Sequence, residues 1–583
     1  MKDFLKYTLA TVVGLVLSGI IFFFIGSIAI SGFIAFSDSE TTVGKNSFMF
    51  LDLNGELQER YAPNPLSDLL GDTYNGYGLE DILSSIKKAK DHEDIKGIYI
   101  QATSLSTSFA SLEEIRNALI DFKESGKFII SYADSYTQGL YYLSSVSDKI
   151  ILNPKGSIEW KGLASQPIFF KNLLEKIGVG IEIFRVGTYK SAVEPFMNTE
   201  MSPASREQTT AYATSIWNRM LADVSQSRNI SVDSLNTIAD RMIFFYPAEE
   251  SLKSGLADTL LYKDGVRSYL KQLLDIDAKD GLRALDLNAM INVKKNVPKD
   301  KSGNIVAVYY AYGDIDGSTD EGIIPKKVVR DLRKLREDEN VKAVVLRVNS
   351  PGGSAFGSEQ IWNEVRLIKA EKPIIVSMGD YAASGGYYIS CAADYIFAQP
   401  TTITGSIGIF GMVPNFGELS KKIGLDYDVV KTNKFADMLS LVRPMNNDEK
   451  TLMQMMINDG YELFITRCAE GRNMNVEDIK RIAEGRVWTG EMAKELGLVD
   501  ELGGLDKALS AAAERAEIEN YTVISYPEQK GILASLMEKG SSGIIRSELK
   551  SNLGEYYSSF KLIRNFENMD LLQARIPFEP NIK

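Results

Sequence analysis

The sequence has 583 residues, 44% hydrophobic and 24% charged, with a net charge of -12, one histidine and two cysteines. That size suggests about two to four domains of ordinary globular composition, and the acidic balance excludes nucleic acid as the main partner, because no basic excess exists to displace phosphate counterions. The lone imidazole, His92, sits in the charged run Lys90-Asp91-His92-Glu93-Asp94 and reads as a solvated helix end, which excludes a Ser-His-Asp triad. Three His and Cys residues are too few for a usual zinc site, and Cys391 and Cys468 form neither a C-x-x-C motif nor a disulfide framework. Any acid or base must come from Lys, Asp, Glu or Tyr, and no metal or cofactor is called for.

In chain order, the first feature is an uncharged run from Tyr7 to Ser37, thirty-one positions long. About 20 apolar residues span a bilayer core, so the run predicts a transmembrane helix within residues 1–40. It is too long for a signal-peptide core and no clean cleavage site follows, which favours an uncleaved signal anchor. Lys2 and Lys6 precede it and Asp38 and Glu40 follow it, so the positive-inside bias puts the N-terminus in the cytoplasm and the bulk of the chain outside.

The remainder reads as one unit twice. Asp94-Ile95-Lys96-Gly97-Ile98-Tyr99-Ile100 matches Asn340-Val341-Lys342-Ala343-Val344-Val345-Leu346 at an offset of 246. At that offset Ser131 falls on Ser377, Asp134 on Asp380, Gly139 on Gly385 and Pro154 on Pro400. The predicted organisation is a first repeat over 45–290, a second over 304–520, and a tail over 521–583 without a counterpart. The stretch Ala278 to Gly303, polar near its end, reads as the linker. In the second repeat, strands are expected at Ala343–Val348, Pro373–Met378 and Tyr395–Ala398, with helices at Ser358–Ala370 and Ala382–Ala393. Such alternation implies α/β repeats of parallel βαβ units.

The repeats differ where chemistry would sit. The second has Asn349-Ser350-Pro351-Gly352-Gly353-Ser354 after its first strand, and glycines there let backbone N–H groups approach a ligand. The first has Ser104-Leu105-Ser106-Thr107-Ser108 instead. The second then has Ala382-Ala383-Ser384-Gly385-Gly386-Tyr387, a serine beside the free N–H groups of a helix start, where an oxyanion could be held. The first has Gln138 in place of Ser384. Read alone, Ser384 is equally an N-cap beside a tight turn. Its base would be a desolvated lysine. Lys190, in Gly187-Thr188-Tyr189-Lys190-Ser191-Ala192-Val193-Glu194-Pro195-Phe196, is the candidate, although a lone lysine is commonly a solvated surface group. Its counterpart in the second repeat is Phe435.

At these residues the sequence resembles the long, duplicated form of the signal peptide peptidase A (protease IV) family, within the Clp protease/crotonase-like superfamily. The motifs that carry the resemblance are Arg347 to Ser354, Ala382 to Tyr387, Thr404-Gly405-Ser406-Ile407-Gly408-Ile409-Phe410-Gly411 and Gly187 to Phe196, spread over about residues 45 to 520. The resemblance implies a serine endopeptidase with Ser384 as nucleophile and Lys190 as general base. It also implies Ser406 holding the lysine, and Gly353 and Gly385 N–H groups as the oxyanion hole. Trp160 stands at the first repeat's place for Ser406, and Tyr381 is a departure bearing on subsite shape. The family's properties further imply a bowl-shaped homotetramer on the bacterial inner membrane, facing the periplasm, that degrades released signal peptides at small or apolar residues. Two other readings stay open: an acyl-CoA hydratase-like enzyme of the same fold, and a non-catalytic membrane scaffold.

Overall fold

The computed structural model describes residues 40–61, 76–294, 302–316, 322–528 and 570–576, with parts of the 4–21 stretch and two positions near 550. The described positions between 4 and 21 are helical, while 22–39, the rest of the expected anchor, lie outside the described residues. No helix among the described residues is long and apolar enough to cross a membrane.

The first repeat contributes strands β1 (Ser47–Gln58), β2 (Gly76–Gly78), β3 (Ile95–Ser106), β4 (Phe128–Ala133), β5 (Lys149–Leu152), β6 (Gly180–Arg185), β7 (Thr259–Leu260) and β8 (Ala284–Leu285). All but β6 form one parallel sheet in the order β2-β1-β3-β4-β5-β7, with β8 also on β1. Runs such as Ile98-Tyr99-Ile100 and Ile129-Ile130 are apolar at successive positions because helices cover both faces of such a sheet. The helices Leu79–Asp91 and Phe109–Lys123 place Ile82, Ile86, Ile115 and Leu119 in that core. His92 caps the first of these, as expected of a helix end. The expected linker is more structured than its composition suggests. Strand β8 and the helix Leu287–Ile291 pack Leu285, Met290 and Val293 on the first core, and only 295–301 lie outside the described residues.

The second repeat contributes β9 (Ile305–Tyr312), β10 (Val341–Ser350), β11 (Gly352–Ser354), β12 (Ile374–Ala383), β13 (Tyr395–Ala398), β14 (Ile403–Gly405), β15 (Phe410–Asn415), β16 (Val487–Thr489) and β17 (Glu501–Leu502), and the start of the tail adds β18 (Thr522–Tyr526). Its main sheet runs β16-β14-β12-β10-β9-β18, parallel except for β14 with β16, and β13 links β12 to β17. The expected strands match β10, β12 and β13, with Pro373 just before the start of β12, and the expected helix at Ser358 is Ala355–Lys369. The next helix starts three residues later than expected, at Gly385. Ala382 and Ala383 instead extend β12, where they pair with Thr404 and Gly405.

A third, four-stranded sheet joins the halves in the order β11-β19-β15-β6, where β19 (Gln573–Arg575) comes from the tail. Strand β6 of the first repeat runs antiparallel to β15 of the second over six residue pairs, from Arg185 with Phe410 to Gly180 with Asn415. That ladder carries the chain after β6 into the second repeat.

A buried ionic cluster also ties the halves. Arg347 on β10 donates from Nε to Glu59 (2.9 Å) and from Nη2 to Glu114 (2.7 Å), both from the first repeat. Asp380 accepts from the Ser111 backbone N–H and hydroxyl, each at 2.9 Å. Arg347, Glu59 and Glu114 are withdrawn from water, so each of these charges needs the partner it has.

Candidate active site

Strand β12 ends at Ala383, the helix Gly385–Ser390 begins at Gly385, and Ser384 makes the turn between them at φ +55°. A positive φ on a non-glycine residue costs about 1–3 kcal/mol and survives only where its surroundings enforce it. Here the Ser384 N–H donates to the Gly405 carbonyl (2.8 Å), and the Ser384 carbonyl accepts from Tyr388 N–H (2.8 Å). The side chain makes no cap bond to its own helix, which removes the simplest structural role for this hydroxyl.

The hydroxyl instead faces Lys190. After β6, Gly187 turns at φ +110°, and Lys190 enters the second repeat beneath the loop at 484–486. Tyr189 N–H donates to the Glu484 carbonyl (2.9 Å), and the Arg486 guanidinium lies between the rings of Tyr189 and Trp488, 4.6 and 4.5 Å from their centroids. Gln208 closes the other side, donating to the Tyr189 carbonyl and the Ser191 hydroxyl, both at 3.0 Å. Lys190 Nζ ends 2.7 Å from Ser384 Oγ, within one chain, although the two residues come from different repeats and lie 194 positions apart. It donates to the Ser406 carbonyl (3.1 Å) and Ser406 Oγ (3.2 Å), and Ser406 Oγ donates to the Gly485 carbonyl (3.1 Å).

Lys190 is 1% exposed. Burial alone drives its pKa well below the ordinary lysine value, with no carboxylate nearby to oppose it. That burial disfavours the ammonium and favours the neutral amine, the form that can take a proton.

The glycine pair stands on the other side of Ser384. Gly352 adopts φ +101°, and a Cβ there would come within 2.0 Å of the Ala574 carbonyl oxygen and 2.8 Å of Gly385 N. Strand β11 thus lies against the start of the serine's helix, and only glycine permits the approach. The structure brings Ser384, Lys190, Ser406, Gly353 and Gly385 to one place. Sequence reasoning missed Gly485, whose φ of +77° and close contact with Lys190 leave no room for a side chain. It also missed the Ser406 carbonyl, since a backbone acceptor carries no residue-type signal.

In the first repeat the corresponding place is filled. Gln138 Oε1 accepts from Lys161 and Gly162 N–H groups (2.9 and 3.0 Å), and its Nε2 donates to the Gly162 carbonyl (3.1 Å). Trp160, where the second repeat has Ser406, is fully buried and donates to the Leu235 carbonyl (3.1 Å). Phe435, the counterpart of Lys190, sits 37% exposed in a loop. Tyr381 packs across the repeats, its hydroxyl 3.2 Å from Ser108 Oγ. Cys391 is buried core.

A hydroxyl, a buried amine and a glycine-built cradle of N–H groups in a doubled α/β fold define a serine hydrolase without histidine. The model of peptidase family S49 matches residues 121–277 and 366–519, more than half of the chain, and a Clp protease model matches 316–403. Protease 4 of Salmonella typhi is 36% identical over 88% of this chain and 85% of its own length. Protease 4 of Haemophilus influenzae is 36% identical over 84% and 82%, and the chloroplastic serine protease SPPA of Arabidopsis thaliana 31% over 82% and 70%. The chain belongs to peptidase family S49 and is a serine protease with a Clp protease-like fold, built from a duplicated unit.

Proposed function

We propose that this protease degrades released signal peptides and similar apolar peptides, with Ser384 as nucleophile and Lys190 as general base. The observation that carries the assignment is the 2.7 Å separation of a fully buried amine and a strained serine hydroxyl. Because the Ser406 hydroxyl proton is directed to the Gly485 carbonyl, Ser406 Oγ and the Ser406 carbonyl both act as acceptors toward Lys190. They take the two N–H bonds of the neutral amine and leave its lone pair for the Ser384 proton. As Ser384 Oγ attacks a peptide carbonyl, Lys190 takes that proton. Gly353 and Gly385 N–H groups hold the oxyanion. The ammonium then protonates the departing amine, and water hydrolyses the acyl-enzyme.

We further propose a single-pass anchor in residues 1–40, placing the enzyme on the bacterial inner membrane with its N-terminus cytoplasmic and its site on the periplasmic side. The uncharged run and the lysines before it support this. A homotetramer is proposed from the resemblance of the duplicated chain to the long-form family. Exposed apolar residues such as Tyr427, Val429 and Val430 offer surface for such contacts. The lysine-bearing unit is taken as 45–290 and the serine-bearing unit as 304–520.

Ser384→Ala and Lys190→Ala are each expected to lower peptide cleavage at least about 1,000-fold while leaving circular dichroism and oligomer size unchanged. Near-full activity in either folded variant rules out the dyad. Signal-peptide specificity is tested by mass spectrometry of digests of a synthetic signal peptide and a polar peptide of equal length. Equal rates on both count against it.

A further inference from the structure

An oxyanion donor acts only if its N–H is aimed at the developing charge. A peptide unit is planar and trans, so the C=O of one residue and the N–H of the next point in opposite directions. The Gly352 carbonyl accepts from Ile315 N–H (2.9 Å), and the Ile315 carbonyl accepts from Ser354 N–H (2.6 Å). The other end of the Gly352–Gly353 unit, the Gly353 N–H, is therefore turned away from Ile315 and into the cleft, where β11 pairs Gly353 with Ala574 of β19. Gly352 and Gly353 sit at φ +101° and +154°. Glycine permits these angles, but it also leaves the peptide unit free to rotate. Two glycines alone do not hold a donor in one direction.

Ser350 supplies the hold. Its hydroxyl donates to the Gly313 carbonyl (2.6 Å) and accepts from Gly352 N–H (3.2 Å). One oxygen thus ties the glycine loop to the segment that carries Ile315, and a hydroxyl can do both because it is donor and acceptor at once. Gly313 N–H closes the tie by donating to the Asn349 carbonyl (2.9 Å). The backbone of Ser350 is braced on the nucleophile's own elements. It pairs with Ala382 of β12, and a Cβ on Gly386 would come within 2.6 Å of the Ser350 carbonyl oxygen. Ser350 is fully buried. Its counterpart in the first repeat, Ser104, is exposed, in a loop without the glycines. Burial of this serine goes with the glycine pair and not with the residue type. We propose that Ser350 is a positioning residue for catalysis: its hydroxyl fixes the Gly352–Gly353 peptide so that the Gly353 N–H meets the oxyanion. This rests on the dyad and oxyanion hole assigned above. Ser350 acts through Gly353 and not on the reacting atoms.

Ser350→Ala in the full chain removes both bonds and leaves Ser384, Lys190 and Ser406 unchanged. It is expected to lower kcat about 10- to 100-fold with little change in KM, short of the roughly 100- to 1,000-fold loss that follows deletion of a donor. A peptide aldehyde gives the second readout, because Ser384 adds to it and leaves an oxyanion at the same donors with no leaving group to depart. Its affinity should fall by the same factor as kcat. The acid limb of kcat/KM against pH should stay at the wild-type position, because nothing around Lys190 has changed. A kcat within about twofold of wild type overturns the proposal. So does a loss of kcat with aldehyde affinity unchanged, and so does a moved acid limb, which places the damage at the lysine. If circular dichroism shows that Ser350→Ala does not fold, Ser350→Cys carries the same readouts, since its thiol fills the place of the hydroxyl with weaker bonds. Ser384→Ala that hydrolyses peptide or binds the aldehyde as wild type does removes the dyad itself, a failure distinct from the others.

Discussion

The lysine amine owes its chemistry to burial and not to its residue type. Nothing charged compensates Lys190, so protonating it inside the fold is costly. The rate should therefore rise with pH along one ionisation well below the ordinary lysine range, and a pH profile of kcat/KM whose acid limb lies near 10 contradicts the assignment. The same burial bears on stability. The unfolded chain binds a proton at Lys190 that the folded chain does not, so the folded state gains stability as pH rises toward the ordinary lysine value. Lys190→Met should remove that slope and raise the neutral-pH midpoint of chemical denaturation while abolishing activity. An unchanged midpoint argues that the amine is not strained by burial. Ser406→Ala leaves one N–H of the amine without its acceptor. It should lower kcat about 10- to 100-fold with little change in KM, and a variant that changes only KM places Ser406 in substrate binding.

At the scale of elements, two short features place the lysine. Strand β6 leaves its own repeat for β15 of the other, and the loop at 484–486 then covers the residues after it. Gly485 is the tightest point: its φ is +77° and a Cβ would stand 2.7 Å from Lys190 Cβ and 2.8 Å from Lys190 Cα. Gly485→Ala should cost about 1–3 kcal/mol of stability through backbone strain. It should cost more in kcat, because moving the amine by about 1 Å can cost 100-fold. Equal activity in the variant and the wild type, read by steady-state kinetics, denies the loop this role. These elements were only half legible in the sequence. Strands β10, β12 and β13 announce themselves as apolar runs bounded by polar turns, whereas β6 looks like any first-repeat strand, and Gly485 is one of 46 glycines.

Across the whole molecule, the halves are locked by buried charge as well as by the shared sheet. Arg347 serves Glu59 and Glu114 at once, and Asn349 Nδ2 donates to Glu59 (2.9 Å). Thr401 reaches back to Glu113, whose pKa burial pushes up to about 7, while Arg219 pulls against that shift. Arg347→Ala strands two carboxylates in a dry junction and should cost about 3–5 kcal/mol in urea unfolding. A loss below about 1 kcal/mol shows that the junction admits water. Because the site is assembled across this junction, such a variant should lose activity at denaturant concentrations where the wild type retains it.

The sequence by itself determined the chemistry on offer. One imidazole and two cysteines left Lys, Asp, Glu or Tyr to supply any base, and comparing the repeats singled out Ser384 by its loss to Gln138 and the glycine pair by its loss to Ser104–Ser108. It also determined the alternating α/β pattern, because a sheet buried on both faces must be written in apolar runs. The tertiary structure decided what no local pattern encodes. Residues 194 positions apart meet at 2.7 Å only because β6 pairs with β15. The amine is driven toward its neutral form only because the folded chain excludes water around it. The place of the tail was equally hidden, since residues 521–583 read only as a stretch without a counterpart in the first repeat. Side-chain periodicity shows that a strand exists, but the partner edge is chosen by backbone hydrogen bonds that nearly any sequence can make. The seat of β19 against Gly353 was therefore settled by the fold.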